Sequence, residues 1–473
     1  MEISVSDIAK VTGGEYIGDE NALRRIVSGL TWDSRTVMPD NVFLAMPGMR
    51  VDGNDFVRAA IRRGAGVIVC TRMPTSNVIA VAGEFACPMV VVDDGIDALE
   101  KIAGFWRDRL HAIVIGVTGS TGKTSTKDFL RSVFSQRFKT AATLGNQNNE
   151  IGVPATILSA DEDTEVLIVE LGMRGMHQIE HLCGFVKPSI AVVTNIGVSH
   201  MELLGSRENI ARAKAELLEA LPDTGFAVLN ADDERTPLLE KFAHLEQRGV
   251  NVHSYGFSPD AETRAQGVTY DAEACASFEV VAGDSAPVSV TLSIPGEHNV
   301  SNALAAYVTG ANMGIAPDDI VRGLAEAKAS GMRMEIVHAP DDVTVINDAY
   351  NANPDSMRAS ISTLMTLEGT GRRIAVLGDM GELGTDEYQL HVDVGTFAGR
   401  ADLDMLVCIG TLSVGIKAGA LAADMDATRV KSFANVDEAA AFLDKYVREG
   451  DLVLVKASRF MELERIVKGI MQR

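Results

Sequence analysis

Short apolar runs alternate with amphipathic stretches along the whole chain of 473 residues. The runs include AGVIVC, AIVIGVTG, EVLIVELG, SIAVVTNIG, RRIAVLGDM and DLVLVKAS. Runs of this length and composition are typical of buried strands, and intervening helices let consecutive strands lie parallel. The pattern predicts an α/β protein with parallel or mixed sheets.

Three domains are expected, because a chain of this length is too long for one hydrophobic core. We place them at residues 1–110, 111–330 and 331–473, with the second boundary at Gly331 after the helical stretch PDDIVRGLAEAKAS. Residues 257–295 are polar and alternating, which predicts antiparallel strands at the edge of the second domain.

The charge and the cysteines limit the classes of function. A formal net charge of −22 repels polyanions and argues against nonspecific nucleic-acid binding. The five cysteines are scattered without a CxxC pair, which favours a reducing compartment over a disulfide framework or a zinc cluster. The amino terminus does not resemble a secretory signal, and no apolar run is long enough to cross a bilayer. We therefore expect a cytoplasmic protein without a membrane span. We also expect a monomer, although no pattern in the sequence determines the oligomeric state.

The stretch IGVTGSTGKTSTKDF at 115–129 is the strongest functional signal. It fails the Walker A spacing, because position 117 is Val where that pattern requires Gly. It nevertheless lies between an apolar strand and a helix, where glycines admit phosphates and amides point at them. We predict a phosphate loop in which Lys123 reaches the β/γ-phosphates and Thr124 holds Mg²⁺. The alternative is a Gly/Ser turn with an exposed lysine.

Three further residues are candidates whose local pattern is less specific. Glu170 ends the strand EVLIVE, where an acidic Mg²⁺ ligand would lie, although it can also be an ordinary strand-end carboxylate. His200 follows another strand, but imidazole is an uncommon ligand for a hard cation. Lys214 in ARAKAELLEAL fits the solvated face of an amphipathic helix.

Seven motifs, taken in order, resemble those of the Mur ligases. They are TGSTGKT, ELG, NIGVSHMELLGS, ARAKAELL, PGEHNVSNALAA, NDAYNANPDSM and LGDMGELG. The resemblance extends from DSR at 33–35 to VKASRFMELE at 455–464. The phosphate loop of that family is TGxxGK[ST], which has no Gly at the position that failed the Walker A spacing.

The resemblance implies an ATP-dependent, carbon–nitrogen-bond-forming ligase of peptidoglycan synthesis. It implies a first domain that binds a UDP-linked substrate, a central P-loop mononucleotide-binding domain, and a Rossmann-like third domain for dipeptide binding and closure. The motifs are most similar to those of members that add D-alanyl-D-alanine to UDP-N-acetylmuramoyl-tripeptide through an acyl phosphate. Lysine or diaminopimelate is equally compatible as the third residue of the tripeptide.

The resemblance also implies roles for individual residues in nucleotide and metal binding. Thr124 and Glu170 would hold one Mg²⁺ and His200 a second, while Lys214 would be carbamylated and join the metal site. Arg333 would reach the γ-phosphate from the third domain after closure. The implied ATP-binding residues are Gly119, Ser120, Thr121, Gly122, Lys123, Thr124, Ser125, Asn299, Asn302, Arg333 and Asp348.

Substrate residues are assigned on the same resemblance. They are Ser34, Arg35 and Asp52 near the UDP group, Asn146 and Asn149 in NQNNEIGVP, and Asn351 in the NAN run. Two positions depart from the family pattern: His177 stands where a Gly is usual, and no Pro precedes Arg333. The glycines at 378, 381 and 384 do not form GxGxxG, which argues against a nicotinamide cofactor.

Two alternatives remain at this stage. A nucleotide-switch protein would explain the loop and the domain count, but not the arginine and the Asp–Tyr–Asn run of the third domain. A folylpolyglutamate-synthase-like ligase would share the central domain, and the uridine-type first domain argues against it.

Overall fold

The structure, a computed structural model, describes all 473 residues. Its strands are β1 Glu2–Ser4, β2 Glu15–Ile17, β3 Ile26–Ser28, β4 Leu30–Thr31, β5 Val42–Ala45, β6 Val67–Cys70, β7 Met89–Val91, β8 Ile113–Thr118, β9 Thr140–Ala142, β10 Val166–Glu170, β11 Ile190–Val193, β12 Phe226–Asn230, β13 Asn251–Gly256, β14 Thr263–Tyr270, β15 Cys275–Ala282, β16 Val288–Pro295, β17 Glu335–Ala339, β18 Val343–Asn347, β19 Arg373–Gly378, β20 Met405–Ile409, β21 Val430–Phe433 and β22 Leu452–Lys456.

Helices follow most of these strands. They are α1 Val5–Thr12, α2 Val57–Arg62, α3 Ser76–Glu84, α4 Gly95–Arg107, α5 Lys123–Phe134, α6 Gly152–Ser159, α7 Gln178–Val186, α8 Met201–Leu204, α9 Arg207–Glu219, α10 Thr236–Phe242, α11 Leu245–Arg248, α12 His298–Asn312, α13 Pro317–Ala325, α14 Pro354–Thr366, α15 Glu387–Arg400, α16 Val414–Ala422, α17 Val436–Tyr446 and α18 Glu464–Met471. The predicted α/β fold is confirmed.

The chain divides into two compact units. Unit 1 contains residues 1–115, 138–171 and 180–188, and unit 2 contains residues 116–137, 172–179 and 189–473. No helix is both long enough and apolar enough to cross a membrane.

Unit 1 contains a five-stranded sheet in the order β2-β7-β6-β5-β4. Strands β4 to β7 pair in parallel, and β2 joins β7 antiparallel at one edge. Every residue of β5 and of β6 is buried, as expected for strands covered on both faces. The apolar side chains of helix α2 pack against this sheet.

Unit 2 contains a sheet whose last strands are antiparallel. Strands β11, β12 and β13 pair in parallel, whereas β14-β15-β16 form an antiparallel meander. This confirms the antiparallel strands predicted within residues 257–295. In the meander, buried and exposed residues alternate along β16, because one face of that strand meets solvent.

A second sheet of unit 2 has the order β17-β18-β22-β19-β20-β21. All its pairs are parallel except β17 with β18. Alternate residues of β19 enter two different cores: Ala375 and Leu377 pack on one face, and Ile374 and Val376 on the other. Helices therefore cover both faces, and polar residues that follow the strands gather at the carboxyl edge.

The helix predicted to reach position 330 is shorter in the structure. Helix α13 ends at Ala325, and the following residues lead to Gly331 without helical structure. The amide of Ser330 donates to the Asp128 carboxylate at 2.9 Å, which holds this connection beside α5. Asp128 is itself paired with Lys127 at 2.7 Å, and both side chains are buried.

Candidate active site

The predicted phosphate loop joins the end of β8 to the first residue of α5. Gly119 has φ +153°, and a Cβ there would lie 1.8 Å from the hydroxyl oxygen of Thr194. Gly122 has φ +78°, and its Cβ would lie 2.4 Å from the side-chain oxygen of Asn302. Both positions need glycine, because the backbone conformation and the space around it exclude a side chain.

Residues at the end of β11 fix the shape of the loop. The Ser120 amide donates to the Asn195 carbonyl at 3.0 Å, and the Thr121 amide donates to the Asn195 side chain at 3.0 Å. Asn195 returns a bond from its amide group to the Thr121 hydroxyl at 2.7 Å. The loop is therefore held in shape by bonds from a neighbouring strand.

Polar groups of the loop are arranged to receive an anion. The Lys123 ammonium bends back over the loop and donates to the Gly119 carbonyl at 2.6 Å. The Ser120 hydroxyl is buried without a hydrogen-bond partner. Thr124 is buried and Ser125 half-buried in the first turn of α5, where helix amides point toward the loop.

Asn299 and Asn302 lie in the first turns of α12 and are both buried. Asn302 accepts from the Thr126 hydroxyl at 3.2 Å and donates to Asn299 at 2.9 Å. Asn299 donates to the Pro295 carbonyl at 2.7 Å. In this arrangement the two amides link α12 to α5, and their contact with adenine stays a prediction.

Lys214 is almost completely buried in α9, with 2% of its surface exposed. The local pattern predicted that Lys214 lies on the solvated face of its helix, and this prediction is therefore wrong. Burial, aided by the nearby charge of Lys123, lowers the pKa of the Lys214 ammonium well below its usual value. No carboxylate forms an ion pair with this lysine.

Glu170, the last residue of β10, is described within unit 1. Its carboxylate is buried and accepts from the Asn148 side chain at 2.8 Å. Its backbone amide donates to the Thr143 hydroxyl at 3.0 Å. Asn148 was not predicted, although it lies in the NQNNEIGVP motif, because the sequence does not show which of its three asparagines faces Glu170.

His200 precedes α8 and has φ +62°. Its Nδ1 lies 2.6 Å from the Glu382 carboxylate. This contact lowers the pKa of the Glu382 carboxyl. Glu382 belongs to the LGDMGELG motif, so the structure brings two of the quoted motifs together. No group of three His, Cys, Asp or Glu residues is arranged to hold a metal ion by itself.

Arg333 lies between α13 and β17, with its guanidinium 4.2 Å from the centre of the Tyr350 ring. Asp348 is buried at the end of β18, where it accepts from the Lys456 ammonium at 2.5 Å. Its other oxygen accepts from the Met334 amide at 3.2 Å. Asp348 therefore organises the segment around Arg333, and its contact with nucleotide stays a prediction.

The residues assigned to the UDP group lie in loops of unit 1. Ser34 is half-buried, and Arg35 is exposed and paired with Asp33 at 2.7 Å. Asp52 accepts from the amide and the side chain of Asn54 at 2.9 and 2.7 Å, which lowers the pKa of its carboxyl. These bonds fix the loop, and the contact with UDP is untested.

The asparagines assigned to substrate lie in two places. Asn146 is half-buried and Asn149 exposed in the loop before α6, where the Asn149 side chain accepts from the Gly152 amide at 3.0 Å. Asn351 is exposed, and its carbonyl accepts from Lys456 at 3.0 Å. His177, where the family has Gly, has φ +65°, a conformation that glycine adopts more easily.

Comparison with known proteins identifies the family. Models of the Mur ligase family catalytic domain, the Mur ligase middle domain and the Mur ligase glutamate ligase domain match residues 26–106, 117–310 and 332–459. The UDP-N-acetylmuramoyl-tripeptide–D-alanyl-D-alanine ligase of Bacillus subtilis is 35% identical, with 99% of this chain and 98% of that protein covered. This chain belongs to the Mur ligase family.

Other Mur ligases give the same result. The Mycobacterium tuberculosis protein of the same name is 37% identical, with 99% of this chain and 98% of that protein covered. A crystal structure of MurF from Acinetobacter baumannii has a TM-score of 0.86 at 28% identity, covering 100% and 99% of the two chains. MurF from Thermotoga maritima in complex with ADP has a TM-score of 0.78 at 27% identity, covering 94% and 97%.

These matches confirm the three-domain arrangement of a Mur ligase. The predicted boundaries after residues 110 and 330 fall between the matched ranges, and their positions stay predictions. Sequence reasoning missed Glu382, Tyr350 and Lys456 as contacts of predicted site residues. All three lie inside sequence stretches quoted above, and this position was the only sign that they belong to the site. Their contacts could not be predicted, because the partner of each lies in another segment of the chain.

Proposed function

We propose that this Mur ligase joins D-alanyl-D-alanine to UDP-N-acetylmuramoyl-tripeptide with hydrolysis of ATP, in the cytoplasmic stage of peptidoglycan synthesis. The observation that carries the proposal is the glycine loop, which Lys123 closes by donating to the Gly119 carbonyl. The shape of this loop suits the phosphates of a nucleoside triphosphate. The full-length similarity to proteins named for this reaction supports the choice of substrates.

The reaction has two steps. The terminal carboxylate of the tripeptide attacks the γ-phosphorus of ATP, forming an acyl phosphate and releasing ADP. The amine of D-alanyl-D-alanine then attacks the acyl carbon, loses a proton, and displaces inorganic phosphate. Both early reactants are anions, so Lys123 and Arg333 would lower their repulsion and align them for attack.

The donor set fits Mg²⁺ that is bound together with a nucleotide. No three acidic or histidine side chains form a closed site, and Thr124 offers a buried hydroxyl at the start of α5. Mg²⁺ commonly takes one or two protein ligands and completes its shell with phosphate oxygens and water. When bound, it would supply positive charge against the phosphates. Glu170 and His200 are proposed as further ligands on the family resemblance.

Lys214 is proposed to react with CO₂ and become a carbamate. Only the neutral amine can attack CO₂, and burial of this side chain favours the neutral form. The carbamate would carry a negative charge where the unmodified lysine faces Lys123 without a carboxylate partner. The modification, which releases one proton, would therefore place a negative charge beside the Lys123 ammonium, where a protonated Lys214 would be repelled.

The remaining assignments are proposals of the same kind. Ser34, Arg35 and Asp52 are proposed to contact the UDP group. The asparagines at 146, 149 and 351 are proposed to contact the peptide substrates. We propose that the protein acts as a monomer.

A phosphate-release assay tests the proposal. ATP and Mg²⁺ should give sustained phosphate release only with both the UDP-linked tripeptide and D-alanyl-D-alanine. Tripeptides carrying lysine and diaminopimelate should be compared, because the third residue is open. Equal release from ATP alone would favour a nucleotide switch and contradict the ligase.

A further inference from the structure

Arg333 occupies a turn with a strained backbone. The residues on either side, Met332 and Met334, have φ of +60° and +48°. Left-handed conformations are unfavourable for side chains other than glycine, and they persist where surrounding contacts enforce them. Proline cannot adopt this φ, so the turn also excludes the Pro that often precedes this arginine in the family.

Two hydrogen bonds hold the turn to the segment after β18. The Tyr350 amide donates to the Met332 carbonyl at 3.2 Å. The Met334 amide donates to the Asp348 carboxylate at 3.2 Å. The Arg333 guanidinium lies 4.2 Å from the centre of the Tyr350 ring, a favourable position for a cation over an aromatic face. The arginine is thus fixed at its backbone and at its head group.

Asp348 is fixed in turn by Lys456 at the end of β22. The Lys456 ammonium donates to Asp348 at 2.5 Å and to the Asn351 carbonyl at 3.0 Å. The Ser360 hydroxyl donates to the same Asp348 oxygen at 2.7 Å. Lys456 is 2% exposed, so solvent does not weaken this pair as it weakens a surface ion pair.

We propose that Lys456 is a positioning residue that acts through Asp348 to hold the strained turn presenting Arg333. Lys456 joins both ends of the segment from Asp348 to Asn351, and Tyr350 of that segment supports the guanidinium. The inference rests on the proposed function, because it concerns how Arg333 is directed toward a transferred phosphoryl group.

Removal of the ammonium should release the turn while leaving the phosphate loop unchanged. In Lys456→Met, the Asp348 carboxylate keeps the hydrogen bond from the Ser360 hydroxyl but loses the ammonium of Lys456. The carboxylate that accepts from the Met334 amide is then no longer held in place. The strained φ angles can then relax and move the guanidinium. A displacement of about 1 Å at a catalytic group can lower a rate about a hundredfold, so we expect a fall in kcat of about tenfold to a hundredfold. KM for ATP should change less than kcat does, because the proposed role of the turn is to direct Arg333 at the transferred phosphoryl group in the transition state.

Arg372→Met is the matched control. Arg372 pairs with the buried Asp451 at 2.7 Å, at the opposite end of β22. This variant breaks a partly buried ion pair of the same sheet without touching the turn. It should lower thermal stability while leaving kcat within about twofold. Equal losses of kcat in the two variants would overturn the proposal.

A double-mutant cycle separates positioning from general damage. If Lys456 acts through Arg333, Lys456→Met should add no further loss of kcat in an Arg333→Ala background. Independent, multiplied losses would contradict the proposed route. Ser360→Ala serves if the lysine variant does not fold. It leaves Lys456 in place, removes the Ser360 contacts to Asp348 and to the Ser356 carbonyl, and should lower kcat about twofold to fivefold.

Hydrogen exchange gives a readout that does not need activity. The amides of residues 332–335 should exchange faster in Lys456→Met than in wild type or Arg372→Met, without substrates. Unchanged exchange would overturn the positioning role. Faster exchange in a protein that shows no ligase activity would instead refute the proposed function and leave the positioning role standing.

Discussion

Gly122→Ala tests whether the phosphate loop depends on both backbone conformation and space. Gly205→Ala is a matched control, because Gly205 has φ +74° and Gly122 has φ +78°, and both flank helices. A new Cβ at Gly205 meets nothing within 4 Å, whereas at Gly122 it lies 2.4 Å from the Asn302 side-chain oxygen. The pair therefore separates the cost of the φ angle from the cost of the collision.

The expected loss of stability follows from these contacts. A left-handed conformation costs a residue other than glycine about 1–2 kcal/mol, which applies to both variants. At Gly122 the Asn302 amide must also move, which disturbs its bonds with Thr126 and Asn299. Overpacking of this kind adds about 1–3 kcal/mol, so Gly122→Ala should lose about 2–5 kcal/mol in its free energy of unfolding.

Thermal melting with and without ADP and Mg²⁺ measures both stability and binding. A nucleotide at a hundred times its Kd stabilises the protein by about 2.7 kcal/mol, which raises the melting temperature. Gly205→Ala should keep this increase, and Gly122→Ala should lose most of it because the loop is distorted. Equal melting temperatures and equal ADP responses in the two variants would refute the reasoning.

Three further predictions concern ionisable groups. Lys214→Ala should lose ligase activity and regain part of it with added short carboxylates, whereas full activity without them would exclude the carbamate. Glu382→Gln should weaken the pair with His200 by at most about 1 kcal/mol and speed hydrogen exchange in α8, and unchanged exchange would contradict the contact. Burial lowers the pKa of His298 to about 4, so the ring stays neutral in the folded protein while the unfolded chain protonates below about 6.5. Stability should therefore fall between about pH 6.5 and pH 4, by at most about 3 kcal/mol, and melting of His298→Gln should show a weaker dependence on pH.

The sequence allowed the phosphate loop to be predicted because its signal is local. A buried strand, two required glycines and the first turn of a helix are adjacent in the chain. The antiparallel meander was predictable for the same reason, since alternation of polar and apolar residues reports which face meets solvent. The end of α13 was not predictable from helix periodicity, because Asp128 in another helix binds the Ser330 amide.

Contacts between distant motifs could not be read from local patterns. The pair of His200 with Glu382 and the pair of Asp348 with Lys456 join segments whose separation in the chain carries no periodic signal. Lys214 shows the same limit, because amphipathic spacing cannot distinguish a solvated lysine from one buried beside a functional loop. The resemblance placed that residue in the site, whereas its local pattern placed it in solvent.

The buried lysines of unit 2 differ in whether their charge has a partner. Lys127 pairs with Asp128 at 2.7 Å, and Lys456 pairs with Asp348 at 2.5 Å. Lys214 faces Lys123 instead and has no carboxylate in an ion pair. A paired buried charge holds neighbouring elements in place, whereas an unpaired buried lysine shifts toward its neutral form, the only form of an amine that can act as a nucleophile. That difference supports the proposed chemistry of Lys214 and the proposed positioning role of Lys456.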